Sequence, residues 1–129
     1  MEQNLNLSLP PEHTPKDLAE AIVSVLDSKL AQDIKLLHVA EQTVLADYFV
    51  LCCGNSNTQV KAIADEVEYQ TTLCGVAPRN VEGKDSFGWI LLDYGSVIVH
   101  VFDRKSREFY NLEKLWREAE DVDITPLLK

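Results

Sequence analysis

A nearly unbroken apolar stretch, WILLDYGSVIVHVF, extends from Trp89 to Phe102 and constrains the fold more than any other segment. Two runs of strand-forming residues flank a glycine, which predicts two antiparallel strands joined by a tight turn at Tyr94-Gly95. A hairpin this apolar belongs in the interior of a sheet, where both of its faces are covered. The rest of the chain must therefore supply the strands and helices around it.

The alternation of side chains along the two strands gives the hairpin two chemically different faces. One face is uniformly aliphatic and suits the core, because Ile90 and Leu92 share it with three valines. The other face mixes an indole, a carboxylate and an imidazole with apolar side chains: Trp89, Leu91, Asp93, Ile98, His100 and Phe102. Such a mixture is typical of a binding surface, in which a few aromatic side chains dominate the binding energy. The alternative is that a C-terminal helix covers this face and makes Trp89 part of the core.

The remaining segments predict helices and strands that complete a sheet. One helix begins at Thr14, with Asp17 completing a capping box, and a second begins at Ser56, with Gln59 in the same role. Strands are expected at residues 34–39, 47–53 and 79–82, and short helices at residues 106–110 and 112–116. This order predicts an α/β (α+β) fold, a mixed sheet of about five strands with helices packed on it.

The length of 129 residues suits one domain. We expect residues 1–13 to be a flexible arm, residues 14–117 to form the domain and residues 118–129 to be a flexible acidic tail. No targeting segment is evident, and no apolar run approaches the ~20 residues that a membrane span requires. The cytoplasm is therefore the expected location.

The net charge of −9 disfavours direct contact with a nucleic-acid backbone, because phosphate binding needs clustered lysines and arginines. A basic protein partner is favoured instead, since opposite potentials speed association and orient the partners. Solubility alone explains the same charge equally well.

Residue types capable of catalysis or metal binding are present, but not in the patterns that those chemistries need. Cys52 and Cys53 are adjacent on a predicted strand and so point to opposite faces, and no cysteine or histidine has metal-ligand spacing. Asp93 and His100 share a face, which allows an acid–base pair, although a histidine on an apolar strand is usually structural. We therefore expect buried reduced thiols, no metal, no cofactor and no catalytic activity.

Three segments of the chain resemble the ribosomal silencing factor family, also called the iojap-like family. They are DYFVLCCGNSNTQVKAIAD, EGKDSFGWILLDYGSVIVHVF and REFYNLEKLW, and the resemblance extends from about Thr14 to Trp116. It implies a non-enzymatic α/β domain of nucleotidyltransferase-like topology, often a homodimer when free. Members bind protein number fourteen of the L series on the large ribosomal subunit. This binding sterically blocks joining of the ribosomal subunits and represses translation under nutrient limitation, while organelle members assist large-subunit assembly.

The resemblance also implies which residues contact the ribosomal protein. The motif W-x-x-x-D-Y-G is present here as Trp89, Asp93 and Tyr94. Two neighbours on the hairpin and two acids before it complete the predicted partner-binding set: Trp89, Leu91, Asp93, Tyr94, His100, Glu82 and Asp85. A different possibility is that the Trp89 face serves only as the interface of a dimeric scaffold.

A nucleotidyltransferase-like enzyme or nucleotide binder is the alternative from another functional class. Such enzymes need a Gly-Ser turn followed by a strand that carries Asp-x-Asp. Here Gly54-Asn55-Ser56 is followed by no such strand, and the Asp-x-Asp at Asp121 and Asp123 lies near the C-terminus. The turn also lacks the glycines and lysine of a phosphate-binding loop, so an ordinary helix cap is favoured.

Overall fold

The predicted hairpin lies inside a six-stranded mixed sheet. The structure is a computed structural model, and it describes residue 7, residues 9–85 and residues 88–129. Its elements are α1 (Pro15–Ser28), β1 (Gln32–His38), β2 (Tyr48–Gly54), α2 (Asn57–Leu73), β3 (Asn80–Glu82), β4 (Trp89–Asp93), β5 (Val97–Asp103), α3 (Arg104–Tyr110), α4 (Leu112–Leu115), β6 (Glu120–Asp121) and a 3₁₀ turn (Thr125–Leu127). The predicted fold class is confirmed, with β6 as a strand that was not expected.

The strands follow the order β3-β4-β5-β2-β1-β6 across the sheet. Only the central pair, β2 and β5, is parallel, and the other neighbours are antiparallel. A parallel pair needs a crossover, and α2 provides it after β2. Alternate side chains of β2 pack into two core clusters, Val50 and Cys52 into one and Phe49 and Leu51 into the other, so its apolar run is buried on both faces, as predicted for residues 47–53.

Helices α1 and α2 cover one face of the sheet and form the larger core cluster with it. The predicted capping box of α1 is present, with Thr14 and Asp17 bonding to each other's backbone N–H. Ser56 caps α2 as predicted, but the Gln59 side chain accepts from the Asn55 N–H rather than from Ser56. The side chains of Ile90 and the other aliphatic hairpin residues lie under these helices, as their alternation predicts.

The turn of the hairpin lies one residue later than predicted. Asp93 pairs with Ile98, and the Tyr94 N–H donates to the Val97 carbonyl at 2.8 Å, so the two-residue loop is Gly95-Ser96. Gly95 has φ +86°, a conformation that L side chains rarely adopt. The residue that faces each β4 position is therefore two positions later along β5 than predicted. A shift of two residues preserves the alternation of side chains between the two faces. The predicted division into two faces is therefore confirmed despite the displaced turn.

The C-terminal segment has contacts that a poorly ordered tail would lack. β6 pairs with β1, and Lys35 Nζ lies 2.9 Å from Asp121 Oδ2. Val122, Ile124 and Leu127 are partly buried against the larger core cluster. At the other end of the chain, residues 1–6 and 8 of the predicted arm lie outside the described residues.

A chain that ends after residue 117 is expected to lose about 1–3 kcal/mol of unfolding free energy, because three partly buried apolar side chains are removed. Denaturant unfolding measures the difference. Asp121→Asn is the matched control, since it removes only an exposed ion pair and should change stability by less than about 1 kcal/mol. Equal stability of the truncated and full chains would restore the expectation of a loose tail.

Candidate partner-binding surface

The sheet face opposite α1 and α2, here called the Trp89 face, is only partly covered. Strand pairing places Phe49 beside Ile98 and Leu51 beside His100, so β2 continues the face that the hairpin begins. Leu112 of α4 packs over its central part in a second core cluster. The expectation of a covering C-terminal helix is therefore met for the centre of this face, whereas its β4 side stays accessible.

A buried ion pair holds the covering segment in place. Arg107 is 7% exposed and donates through Nε and Nη2 to Glu113 Oε2, at 2.9 and 2.7 Å. Its Nη1 also donates to Cys53 Sγ at 3.3 Å, which ties α3 to the central strand. Asn111 adopts a left-handed conformation between α3 and α4 and accepts from the Lys114 N–H, so it ends one helix and caps the next.

The three cysteines are free, and the two on β2 are fully buried. Burial raises the pKa of the Cys52 thiol far above its ordinary value. Burial also raises the pKa of the Cys53 thiol, against the opposing effect of the Arg107 guanidinium. Both side chains are therefore protonated thiols that serve packing, as the sequence predicted.

Trp89 lies at the border between the covered and the accessible part of its face. Its ring centroid is 5.1 Å from that of Phe102 below and 4.5 Å from that of Tyr110 on α3. Tyr110 is 48% exposed, and Phe109 beside it is 79% exposed. An accessible aromatic patch therefore continues from the Trp89 face onto α3.

Sequence reasoning did not include Phe109 and Tyr110 in the predicted set. The sequence did contain one indication that these rings are exposed. A helix of only seven residues cannot direct every large side chain into the core. Arg107 occupies the inward position of α3, which leaves both aromatic rings outside.

One predicted acid, Glu82, borders the Trp89 face, and a second, Asp85, lies in the loop that follows it. Glu82 pairs with Leu91 across β3 and β4, so both side chains belong to this face, and Glu82 is exposed. Asp85 is also exposed, in the loop that Lys84 ties to α2 through Asp65 and Glu68, each at 3.2 Å. Ser86 and Phe87 of the same loop lie outside the described residues.

Gly83 determines where this loop can run. It has φ +92°, and a Cβ atom at this position would collide with the Trp89 carbonyl oxygen. The backbone approach that only glycine permits therefore places the loop directly against the start of β4.

Tyr94 lies on the opposite face from Trp89. Its hydroxyl forms a 2.8 Å hydrogen bond with Thr71 on α2. The Thr71 hydroxyl itself donates to the Val67 carbonyl, so Tyr94 is the donor. Burial raises the pKa of Tyr94 to about 12. The structure thus separates Tyr94 from the rest of the predicted set and gives it a contact that anchors the hairpin turn to α2.

Asp93 belongs to the Trp89 face, but its carboxylate is occupied within the chain. Its Oδ1 accepts from the Gly95 N–H at 2.7 Å and lies 3.5 Å from Arg79 Nε. The first of these bonds closes the turn, since an aspartate side chain can accept from the backbone two residues later. Asp93 therefore shapes the hairpin, and its hydrogen bonds do not include His100.

His100 is 5% exposed among aromatic rings. Trp89 Nε1 donates to its Nδ1 at 3.2 Å, and Phe49 meets its ring edge-on at a centroid distance of 5.1 Å. Burial lowers the pKa of His100 to about 4, so the ring is neutral near pH 7. The acid–base pair that the sequence allowed with Asp93 is not formed, because each side chain bonds elsewhere.

The residues on which the alternative enzymatic function would depend have structural contacts in this fold. Gly54 ends β2, and Ser56 is an ordinary helix cap whose hydroxyl accepts from the Gln59 N–H. Asp121 pairs with Lys35 at the sheet edge. Among the described residues, no group of three or more His, Cys, Asp or Glu side chains is arranged to hold a metal ion. The described helices are all too short or too polar to cross a bilayer.

Replacing His100 with phenylalanine is expected to weaken the dependence of stability on pH. The pKa of His100 falls from 6.5 to about 4 on folding, so between these values only the unfolded chain is protonated. The free energy of unfolding should therefore fall as the pH drops through this window, by on the order of 3 kcal/mol for this group.

Denaturant unfolding of both proteins at pH 7 and pH 4.5 measures this effect. The carboxylates titrate in both proteins, so the difference between them isolates His100. Equal losses of stability in the two proteins would contradict a buried neutral imidazole.

Comparison with known proteins agrees with this architecture. The profile of a family described as ribosomal silencing factor during starvation matches residues 11–129. The Bacillus subtilis strain 168 protein named ribosomal silencing factor RsfS is 41% identical over 109 residues, which are 84% of this chain and 92% of that protein. The Mus musculus protein named mitochondrial assembly of ribosomal large subunit protein 1 is 34% identical over 100 residues, 75% of this chain and 44% of that protein.

The fold is also similar to that of a solved relative. A crystal structure of a Chromobacterium violaceum protein, 32% identical, superimposes with a TM-score of 0.78 over 81% of this chain and 87% of that one. The match of sequence profile, curated relatives and fold covers most of the chain. The chain therefore belongs to the ribosomal silencing factor family.

Proposed function

We propose that this protein binds protein number fourteen of the L series on the large ribosomal subunit, and thereby blocks subunit joining and represses translation under nutrient limitation. One observation carries the proposal. The accessible side of the Trp89 face joins the half-buried Trp89 and Leu91 to the exposed Tyr110, with the exposed Glu82 at its border. Aromatic anchors surrounded by polar residues are the usual make-up of a specific protein interface.

The charge of the chain supports a basic protein as the partner. A net charge of −9 is repelled by the phosphates of ribosomal RNA and attracted to a positively charged protein surface. Glu82 adds exposed negative charge beside the apolar strip, and Asp85 adds exposed negative charge in the loop before β4. Specificity would then arise from the protein contact rather than from RNA.

The mechanism we infer is steric and requires no catalytic group. The anchors lie on sheet strands and on a helix held by the Arg107–Glu113 ion pair, so little order is gained on binding. A surface arranged in advance loses less conformational entropy when it binds. If the domain occupies the face to which the small subunit binds, its volume alone would exclude the small subunit. We propose that this happens in the cytoplasm, or wherever the two subunits meet.

The names of the relatives support a ribosomal partner. Bacterial relatives are named ribosomal silencing factors, and a mouse relative is named for assembly of the ribosomal large subunit. We include a role in large-subunit assembly in the proposal on this basis. We also propose a homodimer in the free protein, because a second copy placed on the accessible apolar strip would remove it from water.

Trp89→Ala is expected to weaken binding to purified large subunits by at least about tenfold, because it removes the central aromatic anchor. Leu91→Thr should also weaken binding while preserving strand propensity, since Leu91 is half-buried at the accessible side. Cosedimentation measures the bound fraction, and circular dichroism confirms that each variant is folded.

Tyr94→Phe is the matched control for these variants. It removes a hydroxyl on the opposite face and should leave binding unchanged while lowering stability by about 1 kcal/mol. Normal pelleting of folded Trp89→Ala and Leu91→Thr proteins would exclude this surface as the ribosome-binding site.

Glu82→Lys is expected to weaken binding to the isolated ribosomal protein about tenfold at low salt and much less at 1 M salt, because ions screen exposed charges. Glu12→Lys makes the same change in charge near the start of α1, on the helical side, and should have a small effect. Titrations at several salt concentrations provide the affinities. A loss that is independent of salt, or equal in the two variants, would argue against electrostatic steering at this border.

A further inference from the structure

The hydrogen bond between Trp89 and His100 determines which nitrogen of the imidazole carries its proton. An indole N–H can only donate, so His100 Nδ1 must be an acceptor in the 3.2 Å contact. A neutral imidazole has one N–H, which is therefore on Nε2. The ring thus presents a hydrogen-bond donor on the side away from Trp89.

His100 Nε2 is buried and has no hydrogen-bond partner among the residues that the structure describes. A buried donor without an acceptor destabilises a protein, and native structures contain few of them. The ring lies among Phe49, Trp89 and Phe102, which offer Nε2 no hydrogen-bond acceptor.

His100 also lies where the cover of the Trp89 face ends. On the covered side its same-face neighbours are Leu51 and Phe102, both fully buried. On the other side they are Leu91, which pairs with it across the hairpin, and Ile98, both partly exposed. His100 is therefore buried itself, but its same-face neighbours on that side are partly exposed.

We propose that His100 Nε2–H is a recognition donor for the ribosomal partner, and that a carbonyl oxygen of the partner accepts its hydrogen bond when the two proteins dock. This inference rests on the proposed function and specifies the chemistry at its site. A main-chain or amide carbonyl fits better than a carboxylate, because an anion would lose its hydration among aromatic rings. Because Nε2 is buried in the free chain, docking requires the partly exposed side chains next to His100, Leu91 and Ile98, to move aside.

The hydrogen bond to the partner would also strengthen the hydrogen bond between Trp89 and His100. A hydrogen bond at Nε2–H makes the Nδ1 lone pair of the same ring more basic, so the bond from Trp89 Nε1 shortens. The partner carbonyl, His100 and Trp89 then form one chain of hydrogen bonds. This chain couples the polar contact of the interface to the orientation of its aromatic anchor.

The first test is made on the wild-type protein labelled with ¹⁵N at histidine and tryptophan. Titration with the isolated ribosomal protein, number fourteen of the L series, should move the Nε2–H proton of His100 downfield as a hydrogen bond forms. The indole N–H of Trp89 should move with it. Saturable binding without any shift of the His100 Nε2–H signal would overturn the inference and leave the proposed function intact.

Three substitutions then separate the two nitrogens of the ring. The amide of His100→Asn reaches the Nδ1 position and keeps an acceptor for Trp89, but lacks the outer donor. The amide of His100→Gln reaches the Nε2 position and keeps that donor. His100→Phe keeps only the ring. We expect His100→Asn and His100→Phe to lose about tenfold in affinity, as for one hydrogen bond, and His100→Gln to lose at most about threefold.

The denaturation midpoint of each variant is measured beside its affinity. If all three variants lose affinity in proportion to their loss of stability, His100 only supports the fold and the inference fails. Full affinity of a folded His100→Asn protein would overturn it as well. Absence of any binding by the wild-type chain would instead reject the proposed function, so the two failures are distinguishable.

Discussion

The parallel pairing of β2 with β5 is the contact on which the rest of the structure depends. Parallel neighbours need a crossover, and α2 together with α1 fills that side of the sheet with apolar side chains. The hairpin that contains β5 therefore has one face committed to the helices. Its other face is left to the short α3–α4 segment, which comes directly after β5 in the chain. That segment is too small for the whole face, and an accessible strip along β4 is the consequence.

Specific contacts hold the residues around the uncovered strip in place. Arg107 and Glu113 form an ion pair that anchors α3 and α4, and Asp93 closes the hairpin turn through the Gly95 N–H. Trp89 is fixed by ring contacts on two sides and by its bond to His100. Burial of an ion pair and of a neutral histidine does little for stability by itself. In this protein their effect is to present apolar anchors in one arrangement, which lowers the entropic cost of binding.

Local patterns in the sequence predicted the fold well where the cause is local. The capping box at Thr14, the helix start at Ser56 and the division of the hairpin into two faces depend on residues within a few positions of each other. Predictions that needed long-range information were less complete. The hairpin turn is a local exception: it lies one residue later than expected, and the Asp93 carboxylate accepts there from the Gly95 N–H, a short-range contact that the apolar pattern does not reveal. The apolar side chains of the C-terminal segment find β1 and α1 only in three dimensions, so composition alone indicated a loose tail.

For the candidate surface, too, some features follow from the local sequence and others from long-range packing. Alternation along the strands by itself determined that Trp89, Leu91 and His100 share a face, since a strand repeats every two residues whatever surrounds it. Only the tertiary structure decided which part of that face stays accessible, because coverage depends on where α3 and α4 pack. It also placed Tyr94 on the opposite face, where its hydroxyl bonds to Thr71 on α2, and placed Tyr110 beside Trp89. Tertiary structure also decided that His100 Nε2 has no hydrogen-bond partner among the described residues, because the pairing of a buried donor depends on neighbours that are distant in sequence.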